Sequence, residues 1–416
     1  MQANYSINYI WWYRVGLFNL LLVASIGVLL RLKLVASLPW LNHKYWLHGH
    51  SHFAFNGWIS LVLMTTFISM IYPNQIPHKS RLTFKWLLIS QLIAAYGMLI
   101  SFPIYGYGTL SIFFSSSSIA ISSIFSLVLL QNLKKTNFQK TILLSIKSAL
   151  TFLVLSSLGT FSLAFLMATH SGNQSLYFGA LYFFLHFQYN GWFLFGILSI
   201  FLFQLQKMNI ILPQIAYQTI KILALACMPA FLLSLLWIKL PVFLYILACI
   251  AGILQVLPFF LYQKKLSDLI RLGFTNLSGI TKWLWKISFA ALGIKLLMQL
   301  LSTLPWLSKY AFAYRPVVIA YLHLILLGMI TCFLLGYLAN LIAFIPVKTF
   351  FTRGSVIFLL GLFVTESALF LQGLGYMGWV SIPYIQPALL VAAILMAAGF
   401  AVINTGFLFR KTQSGV

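Results

Sequence analysis

Apolar stretches of about 20 residues follow one another from one end of the sequence to the other, and short polar connections separate them. An α-helix needs a stretch of this length to cross the hydrocarbon core of a bilayer. Hydrophobic residues make up 62% of the chain and charged residues 7%, whereas a soluble domain is roughly half apolar and a quarter charged. The sequence therefore predicts an all-α integral membrane protein whose surroundings are the lipid bilayer.

The apolar stretches predict about twelve transmembrane helices. We place them near residues 14–35, 45–72, 84–105, 109–131, 142–168, 176–205, 215–237, 240–262, 282–303, 316–345, 353–375 and 383–408. The expected fold is a single polytopic membrane domain over 1–416, in three pseudo-repeated four-helix arcs. These pseudo-repeats cover approximately 1–136, 137–272 and 273–416.

The net charge of +24 arises from 26 Lys and Arg against only two acids, Asp268 and Glu366. In a soluble protein this excess would suggest nucleic acid, but here most cations lie in short connections between apolar stretches. They predict topology signals and contacts with anionic lipid, and no nucleic-acid partner. One alternate set of connections is richer in cations, which predicts that both termini are cytoplasmic. That set comprises Lys79, Arg81, Lys85, Lys134, Lys135, Lys140, Lys207, Lys264, Lys265, Arg271, Lys348, Arg353, Arg410 and Lys411.

One short motif occurs three times at nearly constant spacing. His52, His186 and His323 are each followed five residues later by glycine, and almost equal lengths of chain separate them. The first two copies also share the pattern His-Phe-x-aromatic-Asn-Gly-Trp, whereas the third keeps the His, the Gly and apolar neighbours. A period this long is not that of a solenoid. It favours a bundle built by triplication, with one histidine in an equivalent place in each third.

An intramembrane histidine is costly unless it has a partner, and imidazole is the commonest side-chain metal ligand. Three equivalent histidines at one depth, in the outer part of the membrane, favour a ligand set for haem iron or copper. The alternative is that each histidine hydrogen-bonds a neighbouring helix. Packing is the expected role of the three glycines, and Asn56 and Asn190 are expected to form interhelical hydrogen bonds.

Other polar residues allow two interpretations each. His48 and His52 are spaced i, i+4 and face one way; His48 and His50 are either outer-face residues in contact with water or a second metal position. Glu366, the only acid within an apolar stretch, marks a proton path or is a protonated hydrogen-bonding group. Outer cations such as Arg315 either pair with haem propionates or are solvated loop charges. The three cysteines lack metal-ligand spacing.

The histidine pattern resembles the catalytic subunits of haem-copper oxidases and nitric oxide reductases, which have twelve helices in three arcs. The resemblance implies that His52 and His323 are the two axial ligands of a low-spin haem. It also implies that His186 ligates a second metal, copper or non-haem iron, with Asn190 where the nitric oxide reductases have a glutamate ligand. The starts of the second and tenth helices are also similar to the NnrS-type haem and copper membrane proteins.

The sequence departs from this family at two places. Tyr321 stands where the family has the first histidine of a His-x-His pair, so the high-spin haem would need tyrosinate as its ligand. The stretch 213–239 contains no histidine, although the family's seventh helix supplies a pair. The centre of high-spin haem and copper is therefore expected to be degraded.

These features predict a haem-binding protein of the bacterial inner membrane, with electron transfer or a role linked to nitric oxide or oxygen. Respiratory or cytochrome subunits are the expected partners. If the chain is an enzyme, a nitric-oxide-type reaction using His186, Asn190 and one of His48, His50 or His170 is favoured; no catalytic residue is assigned. The alternatives are a proton- or metal-coupled transporter and a structural subunit of a respiratory complex. Sites nearer the bilayer midplane would favour the transporter.

Overall fold

The computed structural model describes residues 7–73, 76–342, 347–378 and 380–408. The described residues form helices and turns and contain no strand. Arg410 and Lys411, which contribute to the predicted orientation, lie outside the described residues. The prediction of an all-α membrane fold is confirmed.

Three short π-helical segments interrupt the α-helices of the described residues. In the first half they are α1 (Tyr9–Leu32), α2 (His43–Phe53), π1 (Ala54–Ser60), α3 (Leu61–Ile71), α4 (His78–Tyr105), α5 (Thr109–Leu133), α6 (Lys140–Ala168), α7 (Gln174–His186), π2 (Phe187–Phe193) and α8 (Leu194–Lys207). In the second half they are α9 (Gln214–Ala230), α10 (Val242–Leu261), α11 (Gln263–Gly273), α12 (Gly279–Leu301), α13 (Pro305–Ala313), α14 (Arg315–His323), π3 (Leu324–Thr331), α15 (Cys332–Ile342), α16 (Lys348–Met377) and α17 (Ile385–Leu408). A 3₁₀ turn, Phe231–Leu235, continues α9.

Eleven helical segments among the described residues are long and apolar enough to cross a membrane. The continuous helix over 174–207 is not one of them, although at 1.5 Å per residue it is about 50 Å long. Its centre carries His186, Gln188 and Asn190, which lower its hydropathy. The polar residues that identify the repeated motif are thus the same ones that make this helix less apolar than the others.

Asparagine side chains determine where three of the helices begin. The side chains of Asn8, Asn42 and Asn173 accept hydrogen bonds from backbone N–H groups in the first turns of α1, α2 and α7. Such a cap satisfies a donor that has no partner within the helix. Helix α2 therefore begins at His43, so that His48, His50 and His52 are all helical.

The chain forms two compact units. The first unit contains 1–125, 277–287 and 331–416, and the second contains 126–276 and 288–330. The division into three pseudo-repeats has different boundaries and stays a prediction.

Small residues allow close helix packing within each unit, as expected where helices associate in lipid. In the first unit α16 packs on α17, and a Cβ atom added at Gly354 would overlap the backbone carbonyl of Gly399. In the second unit α6 packs on α7, and a Cβ atom at Gly159 would lie 2.6 Å from the backbone nitrogen of Phe184. In the second unit this contact holds α7, the helix that ends at His186.

Candidate functional site

A π-helical segment follows each of the three repeated histidines. Segment π1 begins two residues after His52, π2 begins directly after His186, and π3 begins directly after His323. The glycine of each motif lies within the π segment. Segments of this kind are rare in α-helices and occur frequently at functional sites. The repeated sequence motif thus corresponds to a repeated irregularity of the backbone.

A polar side chain from a neighbouring helix donates a hydrogen bond to a backbone carbonyl at or just beyond each π segment. Asn19 of α1 donates to the carbonyl of Gly57 at 2.7 Å. Ser288 of α12 donates to the carbonyl of Met329 at 2.6 Å. Ser145 of α6 donates to the carbonyl of Phe195, two residues beyond π2, at 3.1 Å. Such donors compensate carbonyls that a change of helical pitch leaves without their usual partners.

Asn19, Ser145 and Ser288 were not identified from the sequence as functional residues. Each is a polar residue within a predicted transmembrane helix, and each is at most 1% exposed. A buried polar group in an apolar helix needs a hydrogen-bond partner, which is the signal that would have identified them. They stabilise the π segments and therefore position the histidines.

In the first unit, His52 lies flat against an aromatic ring, and a polar network holds the next helical turn. The imidazole is stacked on Phe102 with the ring centroids 4.5 Å apart and the planes 9° from parallel. Asn56 donates to the backbone carbonyl of His52 at 3.0 Å. Gln91 and Ser118 donate to Oδ1 of Asn56 at 3.0 and 2.8 Å. Asn56 is thus the interhelical hydrogen-bonding residue that its sequence position predicts.

His48 and His50 each contain a buried ring nitrogen without a hydrogen-bond partner among the described residues. In His48 this is Nε2, while Nδ1 lies 3.5 Å from the Tyr107 hydroxyl. In His50 it is Nδ1. A buried imidazole nitrogen with no hydrogen bond is available to an iron or another metal ion. His48 and His52 both lie against Phe102 of α4, whereas His50 lies against Gly27 of α1. The three imidazoles therefore face different neighbouring helices, and no group of three such side chains in the described part of the chain is arranged to hold a metal.

In the second unit, His186 is completely buried and both of its ring nitrogens are hydrogen-bonded. Nε2 lies 2.9 Å from the backbone carbonyl of Cys227, and Nδ1 lies 3.0 Å from Nδ2 of Asn190. A carbonyl oxygen only accepts, so Nε2 carries the proton and donates it. Nδ1 therefore accepts from the Asn190 amide. Ligation of a metal by His186 would require one of these two bonds to break.

Lys295 lies at the same polar cluster and is 1% exposed. With Asn190, Cys227 and Gln255 it lines a cavity of about 10 Å³, which is room for a single water molecule. Oδ1 of Asn190 and Oε1 of Gln255 are buried and have no hydrogen-bond partner among the described residues. Lys295 is not among the residues predicted from the sequence, although a lysine in the middle of an apolar helix is itself a signal of function.

The donors around His186 do not fit a second metal ion in this arrangement. Within the described ranges, no group of three or more His, Cys, Asp and Glu side chains is arranged to hold a metal. Helix α9, which contributes Cys227, contains no histidine. The predicted ligation of copper or non-haem iron by His186 and Asn190 stays a prediction.

The third copy of the motif is less enclosed than the second. No residue of α14, which ends at His323, is fully buried. Tyr321 lies edge-on to Tyr189, with ring centroids 6.2 Å apart. Arg315 is the exposed first residue of α14. The predicted roles of His323, Tyr321 and Arg315 with haem stay predictions.

The structure therefore divides the predicted residues between two regions. His48, His50 and His52 all lie on α2, at the start of the second transmembrane helix, with His48 and His52 against α4 and His50 against α1. His186 and Asn190 form one hydrogen-bonded cluster with Cys227 of α9, and Lys295 of α12 lines the small cavity beside it. His170 lies in the turn after α6, as its sequence context predicts. Glu366 lies within α16 and belongs to neither region.

No protein-family model matches the sequence, and no curated protein matches it either. Among solved structures, the chain is similar to a haem-copper terminal oxidase that was determined as a dimer by cryo-electron microscopy. The TM-score is 0.64 and the sequence identity is 13%, over 98% of this chain and 83% of that one. At this identity the likeness concerns the fold. The chain is therefore a multi-pass membrane protein with the fold of a haem-copper terminal oxidase.

Proposed function

We propose that this chain is a haem-binding membrane protein of the haem-copper oxidase type. In this proposal His52 and His323 each supply an axial ligand to haem iron. The observation that carries it is the π-helical segment after each repeated histidine, in a chain with the fold of a haem-copper terminal oxidase. A haem supplies one-electron chemistry when bound.

The chain's own residues around His52 support a ligand role. Phe102 lies flat against the imidazole and limits its rotation. Asn56, held by Gln91 and Ser118, fixes the backbone at the histidine. A preorganised imidazole of this kind loses little rotational freedom when it binds iron. Arg315, an exposed guanidinium on the helix that carries His323, is the proposed partner of a haem propionate.

We infer that the role is electron transfer or the handling of nitric oxide or oxygen, without reduction of oxygen by this chain alone. The observation is that both ring nitrogens of His186 are engaged in hydrogen bonds within the protein. Oxygen bond cleavage at a second metal beside the haem would need free ligands there. In the same proposal, the chain lies in a bacterial inner membrane and binds respiratory or cytochrome subunits.

The test is a visible spectrum of the purified protein, oxidised in air and then reduced with dithionite, with iron and copper counted on the same sample. The expected result is a pair of sharp reduced bands from a six-coordinate haem. These bands should be lost in His52→Ala and in His323→Ala and kept in His78→Ala, a matched control at the exposed first residue of α4. A colourless, iron-free protein from haem-replete cells would overturn the proposal.

The second candidate function is a proton-coupled transporter, and the buried Lys295 is the observation that favours it. A lysine inside a transmembrane helix marks a proton or ion path by default. This candidate predicts a colourless protein that moves protons when reconstituted in liposomes. Lys295→Met would abolish that flux, while Lys286→Met, a change at an exposed position of the same helix, would leave it intact.

A further inference from the structure

A cavity of about 590 Å³ lies at one end of the second unit. It is bounded by the connection between α9 and α10 and by helix α13. These segments follow or precede transmembrane helices, so the cavity lies at the membrane boundary. Tyr245 of α10 donates to the carbonyl of Thr303 at 2.6 Å and ties the two connections together.

The lining combines two cations with apolar and aromatic side chains. Lys239 and Lys309 are both exposed and both line the cavity, and no acidic residue lines it. Trp237 contributes an indole Nε1 that has no acceptor among the described residues. Ring contacts among Tyr182, Trp237 and Phe312 make one wall. The site offers positive charge and a hydrogen-bond donor, but no negative group of its own.

An apolar surface continues from this cavity along α10. Phe243, Ile246, Ile250 and Ile253 are 68%, 51%, 47% and 52% exposed, and their spacing places them on one face of the helix. A free phosphate ion would contact only the two lysines. A phospholipid would contact the lysines and this face, because its acyl chains extend along the membrane-spanning helix.

We propose that this cavity binds the headgroup of an anionic phospholipid, with its phosphate between Lys239 and Lys309 and its acyl chains along α10. The volume is typical of sites for small ligands. Tryptophan at such a boundary is an ordinary anchor because its ring is apolar and its N–H is polar. The site is independent of the proposed haem function.

The experiment uses the full chain, purified in detergent and stripped of lipid. Dioleoyl phosphatidylglycerol, dioleoyl phosphatidylcholine and inorganic phosphate are titrated separately. Bound lipid is counted by native mass spectrometry, and the rise in melting temperature gives an apparent affinity. Phosphatidylglycerol should bind and stabilise the protein, and the other two should not.

The variant Lys239→Gln/Lys309→Gln should weaken phosphatidylglycerol binding by roughly 30-fold, or about fivefold for each lysine at the membrane surface. Both side chains are exposed, so the variant should fold. The matched control Lys264→Gln/Lys265→Gln removes the same charge from exposed positions of α11 and should bind as the parent does. Trp237→Phe keeps the ring and removes the donor, and should weaken binding by a few-fold.

Three results would each overturn the assignment. Equal binding of phosphatidylcholine would show that the charge of the headgroup is irrelevant. Equal stabilisation by inorganic phosphate would replace the lipid with a free anion. Equal losses in the two double variants would reduce the effect to the net charge of the protein.

Discussion

The first two histidine regions carry the same sequence motif and use it differently. In both, an asparagine follows the histidine by four residues, within a π segment. Asn56 bonds the backbone carbonyl of His52, whereas Asn190 bonds the imidazole ring of His186. The His52 ring is stacked on Phe102, while the His186 ring is enclosed and doubly hydrogen-bonded. The motif therefore determines the backbone, and the neighbouring helices determine what the ring can do.

The largest expected difference between the two regions is the loss of stability when each histidine is replaced by alanine in protein prepared without haem. His186→Ala should lower the free energy of unfolding by about 3 kcal/mol or more, because two buried polar groups lose their partners. His52→Ala should cost about 1 kcal/mol, since its ring is only half buried and packs on one aromatic. Unfolding in detergent, followed by circular dichroism, gives both values. Equal losses would contradict the structural role assigned to His186.

The glycines of the motif offer a second contrast. A Cβ atom at Gly191 would overlap Cβ of Phe152, whereas one at Gly328 would lie 3.4 Å from Cβ of Ala291. Gly191→Ala should therefore destabilise the protein by about 2–3 kcal/mol, and Gly328→Ala by less than about 1 kcal/mol. Melting temperatures of the two variants, measured side by side, check this order. A larger loss in Gly328→Ala would show that close approach is not the role of Gly191.

Replacement of Lys295, the lysine beside His186, is expected to raise the stability of the protein, whereas the variants above lower it. Lys295→Met replaces a buried polar chain by an apolar one of similar length and should stabilise the protein by about 1–2 kcal/mol. Lys286→Met, at an exposed position of the same helix, should change stability by less than about 0.5 kcal/mol. The same unfolding measurement applies. A marked loss of stability in Lys295→Met would mean that the ammonium has partners essential to the cluster.

The smallest expected effect is the coupling energy between the histidine and the asparagine of each motif copy, and it tests their hydrogen bond directly. A double-mutant cycle between His186 and Asn190 should give a coupling energy of about 1 kcal/mol, because the two side chains share a buried hydrogen bond. The cycle between His52 and Asn56 should give a value near zero, because Asn56 bonds a backbone carbonyl that remains in His52→Ala. Similar couplings in both cycles would show that the two regions are equivalent after all.

Much of the fold was predictable because the bilayer restricts the secondary structures that a membrane-spanning segment can adopt. Long apolar stretches in lipid must be helical, since no water is present to satisfy exposed backbone groups. The predicted helix positions accordingly agree with the observed helices to within several residues. The helix predicted at 176–205 was also placed from its apolar stretch, although His186, Gln188 and Asn190 reduce the hydropathy of the observed helix over 174–207.

The candidate site was predictable only in part. The spacing of histidine and glycine identified the three places where the backbone becomes π-helical, but it gave no sign of the π turns themselves. Asn19, Ser145 and Ser288 support these turns from residues far away in the sequence. Lys295 and Cys227 likewise reach His186 only through packing of α9 and α12. Without the folded chain, none of these contacts has a sequence signature of its own.

The sequence by itself determined the class of protein, the helices and the three positions of the histidines, because hydropathy and motif spacing are local properties of the chain. The tertiary structure decided which hydrogen bonds each imidazole makes: both ring nitrogens of His186 are engaged, whereas His48 and His50 each keep one buried nitrogen without a partner among the described residues. Those outcomes depend on single donors and acceptors brought within about 3 Å by helix packing. Two copies of one motif therefore gave a stacked imidazole in one unit and a fully hydrogen-bonded imidazole in the other.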